Sequence, residues 1–284
     1  ELAKQKVTVA VAGDGGDEVF AGYEKYSVDN IENKLREKFP SFVRKHIFPS
    51  LAKLSGSIKL KPFQRAKSLL TSLSVEPAMG FYITNSFITD EIWENLVSDD
   101  MRQKLDGYHP SKITLDAYHK ADGPDHLSKI LYTDMKTYLP GGILVKVDRM
   151  SMANSLEVRA PILDFKLVEF AAQIPSKFKF NDGEKKYILK EIFKPFLSDD
   201  ILYRKKMGFS VPLAEWLRGE IKEIAEDCLF NRNVGLVNYF KPEVIRKMWQ
   251  QHQDKTIDYS APLWSMLMFQ MWWDKYMNLE HTAE

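Results

Sequence analysis

The chain has 284 residues, 44% hydrophobic and 28% charged, enough for one large domain or two small ones with a packed core. Lysine and arginine number 40 against 39 acidic residues, a net charge of +1, which leaves no electrostatic footprint for nucleic acid or an anionic membrane surface. No apolar run is long enough to span a bilayer and no signal-peptide pattern is present, so a cytoplasmic protein is expected. The single cysteine, Cys228, rules out an intrachain disulfide and a multi-cysteine zinc site, and a buried or idle thiol at a helix end is expected. No H-x-x-x-H pair points to a histidine metal centre.

After a polar lead, Glu1–Lys6, the β-branched run Val7, Val9 and Val11 predicts a strand that breaks into Gly13-Asp14-Gly15-Gly16-Asp17-Glu18. Val19, Phe20 and Tyr23 then resume at helical spacing. In an open α/β sheet, ligands sit beyond the carboxyl end of a strand. Glycines there let backbone N–H groups approach a phosphate, and the following helix start adds donors. Three acidic residues would repel a bare phosphate but suit one reached through Mg2+, which takes one or two carboxylates and the phosphate oxygens. The same residues also read as an ordinary turn with dipole-favoured acids at a helix start. The register of an EF-hand loop is absent. One strand is no sheet, so the expectation is a fragment of a larger enzyme, or a first strand that pairs with something unseen.

Residues 27–135 read as mostly helical and polar-faced, with helices over Asn30–Phe39, Phe42–Leu54 and Phe63–Leu73 punctuated by Pro40 and Pro49. Further helices follow from Pro77, over Asp90–Leu96, over Met101–Leu105 and from about Ile113 to His119. Ile130, Leu131, Met135 and Leu139 mark a helix expected to stop at Pro140, with Gly141-Gly142 turning the chain and Ile143–Met152 resuming helically. Lys146, Asp148, Arg149, Glu157 and Arg159 lie within this apolar run, and buried charges are costly unless paired or engaged with a ligand. Glu157 and Arg159 read equally as a structural ion pair. Phe165–Ile174 is a helix, Phe178–Gly183 a loop or short strand, and Lys185–Phe196 a basic amphipathic helix. Arg204–Pro212 is a loop with clustered positive charge. In the tail, Leu263, Trp264, Leu267, Met268, Met271 and Trp272 form a stripe expected in a core or a subunit interface.

Gly13-Asp14-Gly15-Gly16-Asp17-Glu18-Val19-Phe20-Ala21-Gly22-Tyr23 resembles the S-G-[ED]-G-[SG]-D-E-[LV]-F-G-G-Y signature of the asparagine synthetase family. Tyr138–Asp164 is similar to that family's Y-L-P…D-R…E-x-R-x-P-[FIL]-L-D segment, agreeing at Asp148, Arg149, Glu157, Arg159, Pro161 and Asp164. Arg204–Pro212 resembles its R-x-K-x-[GQ]-F-[ST]-x-[PG] loop, and the tail its L-W-x-x-L-x-x-x-x-W helix. The resemblance runs from about Val7 to Tyr276, in order.

It implies a mainly α fold with a remnant α/β edge: the C-terminal part, as a single domain fragment, of an adenine-nucleotide α-hydrolase-like (ATP pyrophosphatase) synthetase domain. The family's S-G-G-x-D-S loop and its glutaminase domain are absent from this sequence. The implied reaction is the ATP-dependent amidation of a carboxylate, aspartate expected, through an acyl-adenylate, with glutamine-derived ammonia. The resemblance makes Asp17 a Mg2+ ligand, Gly13 a backbone contact to ATP, Glu18 a support for the metal or the turn, and Asp14 a general base. It makes Lys206, with Lys205 its neighbouring rival, the residue that stabilises charge on the phosphates. Lys146, Asp148, Arg149, Glu157 and Arg159 would wall the adenylate and acceptor pocket. Homodimerisation is left open, and the fragment alone is expected to be inactive.

Departures from the family pattern are Ala12 for serine, Ala21 for glycine, and Gly141-Gly142 where polar residues are common; Asp14, which the signature admits, is one methylene shorter than the glutamate typical of the best-known asparagine synthetases. Asp14 keeps a second acceptor open, a sugar acid or a ring-closing β-lactam substrate. An inert helical binding module is the alternative from another class.

Overall fold

The computed structural model describes residues 1–56, 61–204 and 211–277. The chain divides into two compact units, one built from Glu1–Asn85 and Pro110–Lys205, the other from Ser86–His109 and Lys206–Glu284. Helices dominate both, as the sequence predicts.

In the first unit, β1 (Val9–Val11) leads through the acidic turn into the short helix α1 (Gly16–Val19) and then α2 (Glu24–Lys38). The chain returns as α3 (His126–Lys136), capped by Asp125, whose carboxylate accepts the Ser128 N–H at 2.8 Å. Helix α4 (Val145–Met152), β2 (Glu157–Arg159) and α5 (Phe165–Gln173) follow. A small antiparallel hairpin, β3 (Phe180–Asn181) with β4 (Glu184–Lys185), then delivers α6 (Tyr187–Phe193).

The strand expected to lack a partner has one within the chain. β1 pairs in parallel with β2, with Val9 opposite Glu157, Ala10 opposite Val158 and Val11 opposite Arg159. The ladder continues at both ends, the Glu157 N–H donating to the Thr8 carbonyl and the Ala12 N–H to the Arg159 carbonyl. The segment between α3 and α4 differs from its expected form too. Pro140, Gly141 and Gly142 do not reverse the chain; they lie in a π-helical stretch, Leu139–Leu144, that runs directly into α4. A wider turn absorbs the missing proline N–H, and the two glycines add no side chain to crowd it.

Two apolar clusters hold this unit. Val19 and Phe20 of the α1 region pack with Ala171 of α5 and with Ile162 and Leu163 ahead of it. Tyr26, Phe81, Tyr118, Leu127, Ile130 and Leu131 form the second cluster. A fully buried side chain of this size contributes about 1.5–3 kcal/mol, so α1, although one turn long, is anchored by Val19 and Phe20.

Among the described residues the second unit is mainly helical around Leu96, Leu217, Leu229, Leu236, Leu263 and Leu267, with an isolated antiparallel bridge between Val97 and Phe240. Of the predicted tail stripe, Leu263 and Leu267 are buried, whereas Met268, Met271 and Trp272 are 37%, 45% and 47% exposed. Cys228 is fully buried there, beside the Arg232 guanidinium, and burial pushes its thiol pKa up. No helix among the described residues is long and apolar enough to cross a membrane.

Candidate active site

The acidic turn owes its shape to its glycines. The Gly16 N–H donates to the Gly13 carbonyl at 3.3 Å, and Gly15 takes φ +82°, a left-handed conformation glycine adopts without steric cost. A Cβ on Gly15 would lie 2.1 Å from Leu163 Cδ2, so the turn is pressed against the residue two places beyond Pro161. A Cβ on Gly13 would meet nothing within 4 Å; that face of the turn is open. Ala21, where the resembled signature has glycine, is held at φ +57° and fully buried.

The three acids part company. Asp14 is half-buried in the turn. Asp17, in the first turn of α1, pairs through Oδ1 with Lys186 Nζ at 2.7 Å, their side chains 20% and 35% exposed. Glu18 is 1% exposed and faces inward, where its Oε1 accepts the Tyr23 hydroxyl at 2.9 Å. Burial raises the Glu18 pKa, its own backbone hydrogen bond and Tyr23 oppose that rise, and the charges of Asp17 and Asp134 add to it. Beneath Glu18, Asp134 accepts the Tyr26 hydroxyl at 2.6 Å and pairs with Lys25 at 2.6 Å, while the Lys25 ammonium stands 4.5 Å from the Tyr138 ring centre. The turn therefore rests on a buried polar floor in which the Tyr23 and Tyr26 hydroxyls and the Lys25 ammonium each meet a carboxylate.

The pairing of β1 with β2 brings the second motif to the first: Arg159 sits opposite Val11, one strand spacing (about 4.8 Å) from the strand that ends in the turn. Glu157 and Arg159 form an ion pair, Oε1 to Nε 2.6 Å, with side chains 50% and 66% exposed. The motif's Asp164 caps α5, its carboxylate accepting the Lys166 N–H at 3.0 Å. Lys146, Asp148 and Arg149 lie on α4, which packs against β2. The charges of this segment, expected within a buried apolar run, are exposed, and α4 buries no residue. The apolar positions that suggested burial are outward-facing as well, Met150 and Met152 being 64% and 52% exposed. Lys206 and its rival Lys205 lie outside the described residues.

Lys186 is the residue the sequence did not single out. It falls within a run read as the start of a basic helix, and nothing local marks a contact with a turn 169 positions away.

Among the described residues, no three His, Cys, Asp or Glu side chains converge as a metal cage. The turn fits a different kind of site. Asp17, with Asp14 in the same turn, could supply the one or two carboxylates that Mg2+ takes when nucleotide phosphates complete its shell, and the Cβ side of Gly13 is open.

The asparagine synthase family profile matches residues 1–274. Asparagine synthetase (glutamine-hydrolyzing) 1 of Bacillus subtilis strain 168 is 31% identical over 274 residues, covering 95% of this chain and 41% of that protein. Asparagine synthetase (glutamine-hydrolyzing) 3 of the same strain is 26% identical over 223 residues, covering 76% of this chain and 30% of its own length. Amidase chyE of Penicillium rubens is 26% identical, covering 83% of this chain and 37% of its own length. The chain thus spans 30–41% of the length of these curated relatives. No solved structure matches it. With the acidic turn, the E-x-R-x-P strand beside it and a profile running through both, the chain belongs to the asparagine synthase family.

Proposed function

We propose that this chain forms the acceptor-side part of a synthetase that uses ATP to amidate a carboxylate, aspartate first among the candidates, with ammonia derived from glutamine. The observation that supports this best is the β1–β2 pairing, which sets Arg159 opposite Val11, the last residue of the strand that leads into the acidic turn, with Glu157 opposite Val9. A carboxylate acceptor, an adenylate and a cationic side chain then meet at one place.

In this reading the acceptor carboxylate attacks the α-phosphorus and pyrophosphate leaves. Ammonia then attacks the acyl carbon, and amide and AMP leave. Mg2+ bound with the nucleotide would supply charge neutralisation at the phosphates. Asp17 would hold that metal, and the backbone at Gly13, whose Cβ side is open, would lie against the nucleotide. Asp14 takes a proton from the attacking amine, a role that requires a carboxylate near the acyl carbon. Lys206 stabilises negative charge as it builds on the phosphates. Glu18, buried and bonded to Tyr23, holds the turn in shape. Arg159, exposed on β2, would meet the acceptor in this reading, with Lys146, Asp148 and Arg149 on the adjoining helix.

The test is to give the gene product that carries this segment Mg·ATP, ammonia and a panel of carboxylates, and to follow AMP and pyrophosphate. Aspartate-dependent AMP that disappears in Asp17→Ala is the expected result. AMP with a sugar acid or a β-amino acid in place of aspartate would retain the chemistry and replace the substrate. A folded protein that yields no AMP with any acceptor would leave the inert helical module.

A further inference from the structure

Lys186 reaches the acidic turn by a route that fixes it there. The β3–β4 hairpin ends at Lys185, and Lys186 follows in the left-handed conformation, φ +54° and ψ +33°, as the residue ahead of α6. A non-glycine residue in that region is uncommon and is kept only where its surroundings determine it. Its side chain runs past Gly22 and Gly16 of the motif. A Cβ on Gly22 would lie 2.3 Å from Lys186 Cε and 2.0 Å from Asp17 Oδ1, and a Cβ on Gly16 would lie 3.7 Å from Lys186 Nζ. The lysine stem and the Asp17 carboxylate therefore lie together against the Gly22 backbone, and they are joined by a 2.7 Å ion pair.

We infer that Lys186 is the resident counter-ion of Asp17, occupying the carboxylate that a divalent cation would use, and that such a cation binds by displacing it. The inference rests on Asp17 being the metal-holding residue of the proposed function. A carboxylate only 20% exposed is poorly solvated and needs a positive partner in every state of the site. Lysine supplies one while no metal is present. An ammonium and a divalent cation on one carboxylate stand a few ångströms apart and repel strongly where water is partly excluded, so they compete. Lys186 is a positioning residue in this scheme: it keeps Asp17 aimed and charged, and it sets how much metal the site requires.

Competition gives Lys186 a signature that a purely structural ion pair lacks. Mn2+ binding to the nucleotide-free protein is read by water-proton relaxation in wild type, Lys186→Asn, Lys186→Arg and Asp17→Asn. Asparagine removes the charge and tolerates the left-handed backbone; arginine keeps the charge. Lys186→Asn is expected to bind Mn2+ about five-fold tighter, the ratio that roughly 1 kcal/mol of lost competition converts to. Lys186→Arg should match wild type, and Asp17→Asn should lose the site. Unchanged or weaker binding in Lys186→Asn, with binding still lost in Asp17→Asn, would overturn the counter-ion role and leave Asp17 as the metal residue. Mn2+ binding that Asp17→Asn does not alter would overturn both. Wild type offers a second reading that does not depend on a variant folding. With lysines reductively methylated using 13C-formaldehyde, which keeps their charge, the Lys186 methyl resonance should shift as Mg2+ is added, and a resonance that stays in place overturns the inference.

Discussion

At the scale of single residues, the acidic turn holds one glycine that its shape requires and one whose Cβ position is open. Gly15 combines a left-handed φ of +82° with a Cβ position 2.1 Å from the Leu163 side chain. Gly15→Ala should therefore cost about 2–3 kcal/mol through backbone strain and overpacking, read as a lower urea midpoint. Gly13 has free space around its Cβ position, so Gly13→Ala should change stability by less than about 1 kcal/mol. If nucleotide lies against that backbone, the same variant should still lose acceptor-dependent AMP formation. Full activity in Gly13→Ala would remove Gly13 from the nucleotide site. Glu18 yields a pH test. Its folded pKa is raised above the ordinary 4.5 by burial, so the folded state binds its proton more tightly than the unfolded chain does. That contribution is complete below the unfolded value and is lost as pH rises through the folded one. Urea midpoints measured from pH 4 to 7.5 should show wild type losing stability relative to Glu18→Gln from about pH 4.5 upward. Parallel curves would show that the carboxylate is solvated after all. The motif residues themselves were legible because glycine and aspartate punctuate a chain locally. Lys186 was not, because its partner is distant in sequence and its own surroundings read as helix.

At the scale of elements, the long helices follow their apolar periodicity, and Asp90–Leu96 has the bounds its pattern predicts. What local pattern could not show is β2. Three residues, Glu157, Val158 and Arg159, with both flanking side chains exposed, carry no run of alternation long enough to register as a strand; the strand exists because β1 offers it a ladder. The Pro140-Gly141-Gly142 stretch failed for another reason. Proline and glycine favour a break, but a π-helical turn accommodates both without leaving the helix axis. Helix α5 shows how such elements hold the site. Asp164 caps it with bonds to the Lys166 and Leu167 N–H groups, and the preceding Leu163 is the side chain pressed on Gly15. Asp164→Ala should cost about 1 kcal/mol, the usual value of an N-cap, while Asp164→Ser should recover most of it. Equal thermal midpoints for the two variants would show that the cap bonds contribute nothing beyond the packing of α5.

At the scale of the whole chain, each compact unit has its own core, and the aromatic residues are divided between them unevenly. The sequence holds 6 tryptophans, and every one, Trp93, Trp216, Trp249, Trp264, Trp272 and Trp273, falls within Ser86–His109 or Lys206–Glu284. Tryptophan fluorescence therefore follows the second unit alone, whereas far-UV circular dichroism follows the helices of both. Ile130, 0% exposed in the core of the first unit, tests whether the separate cores unfold as separate cooperative bodies. Truncating such a buried isoleucine to alanine costs about 2–5 kcal/mol through lost burial and the cavity left behind. In Ile130→Ala, the dichroism transition should move to lower urea or split, while the fluorescence midpoint should stay where wild type has it. A fluorescence midpoint that falls in step with the dichroism would make the chain one cooperative body. In that case a core mutation in either unit would reach the acidic turn, and the stability costs argued for Gly15 and Asp164 would have to be read against the whole chain and not against the first unit.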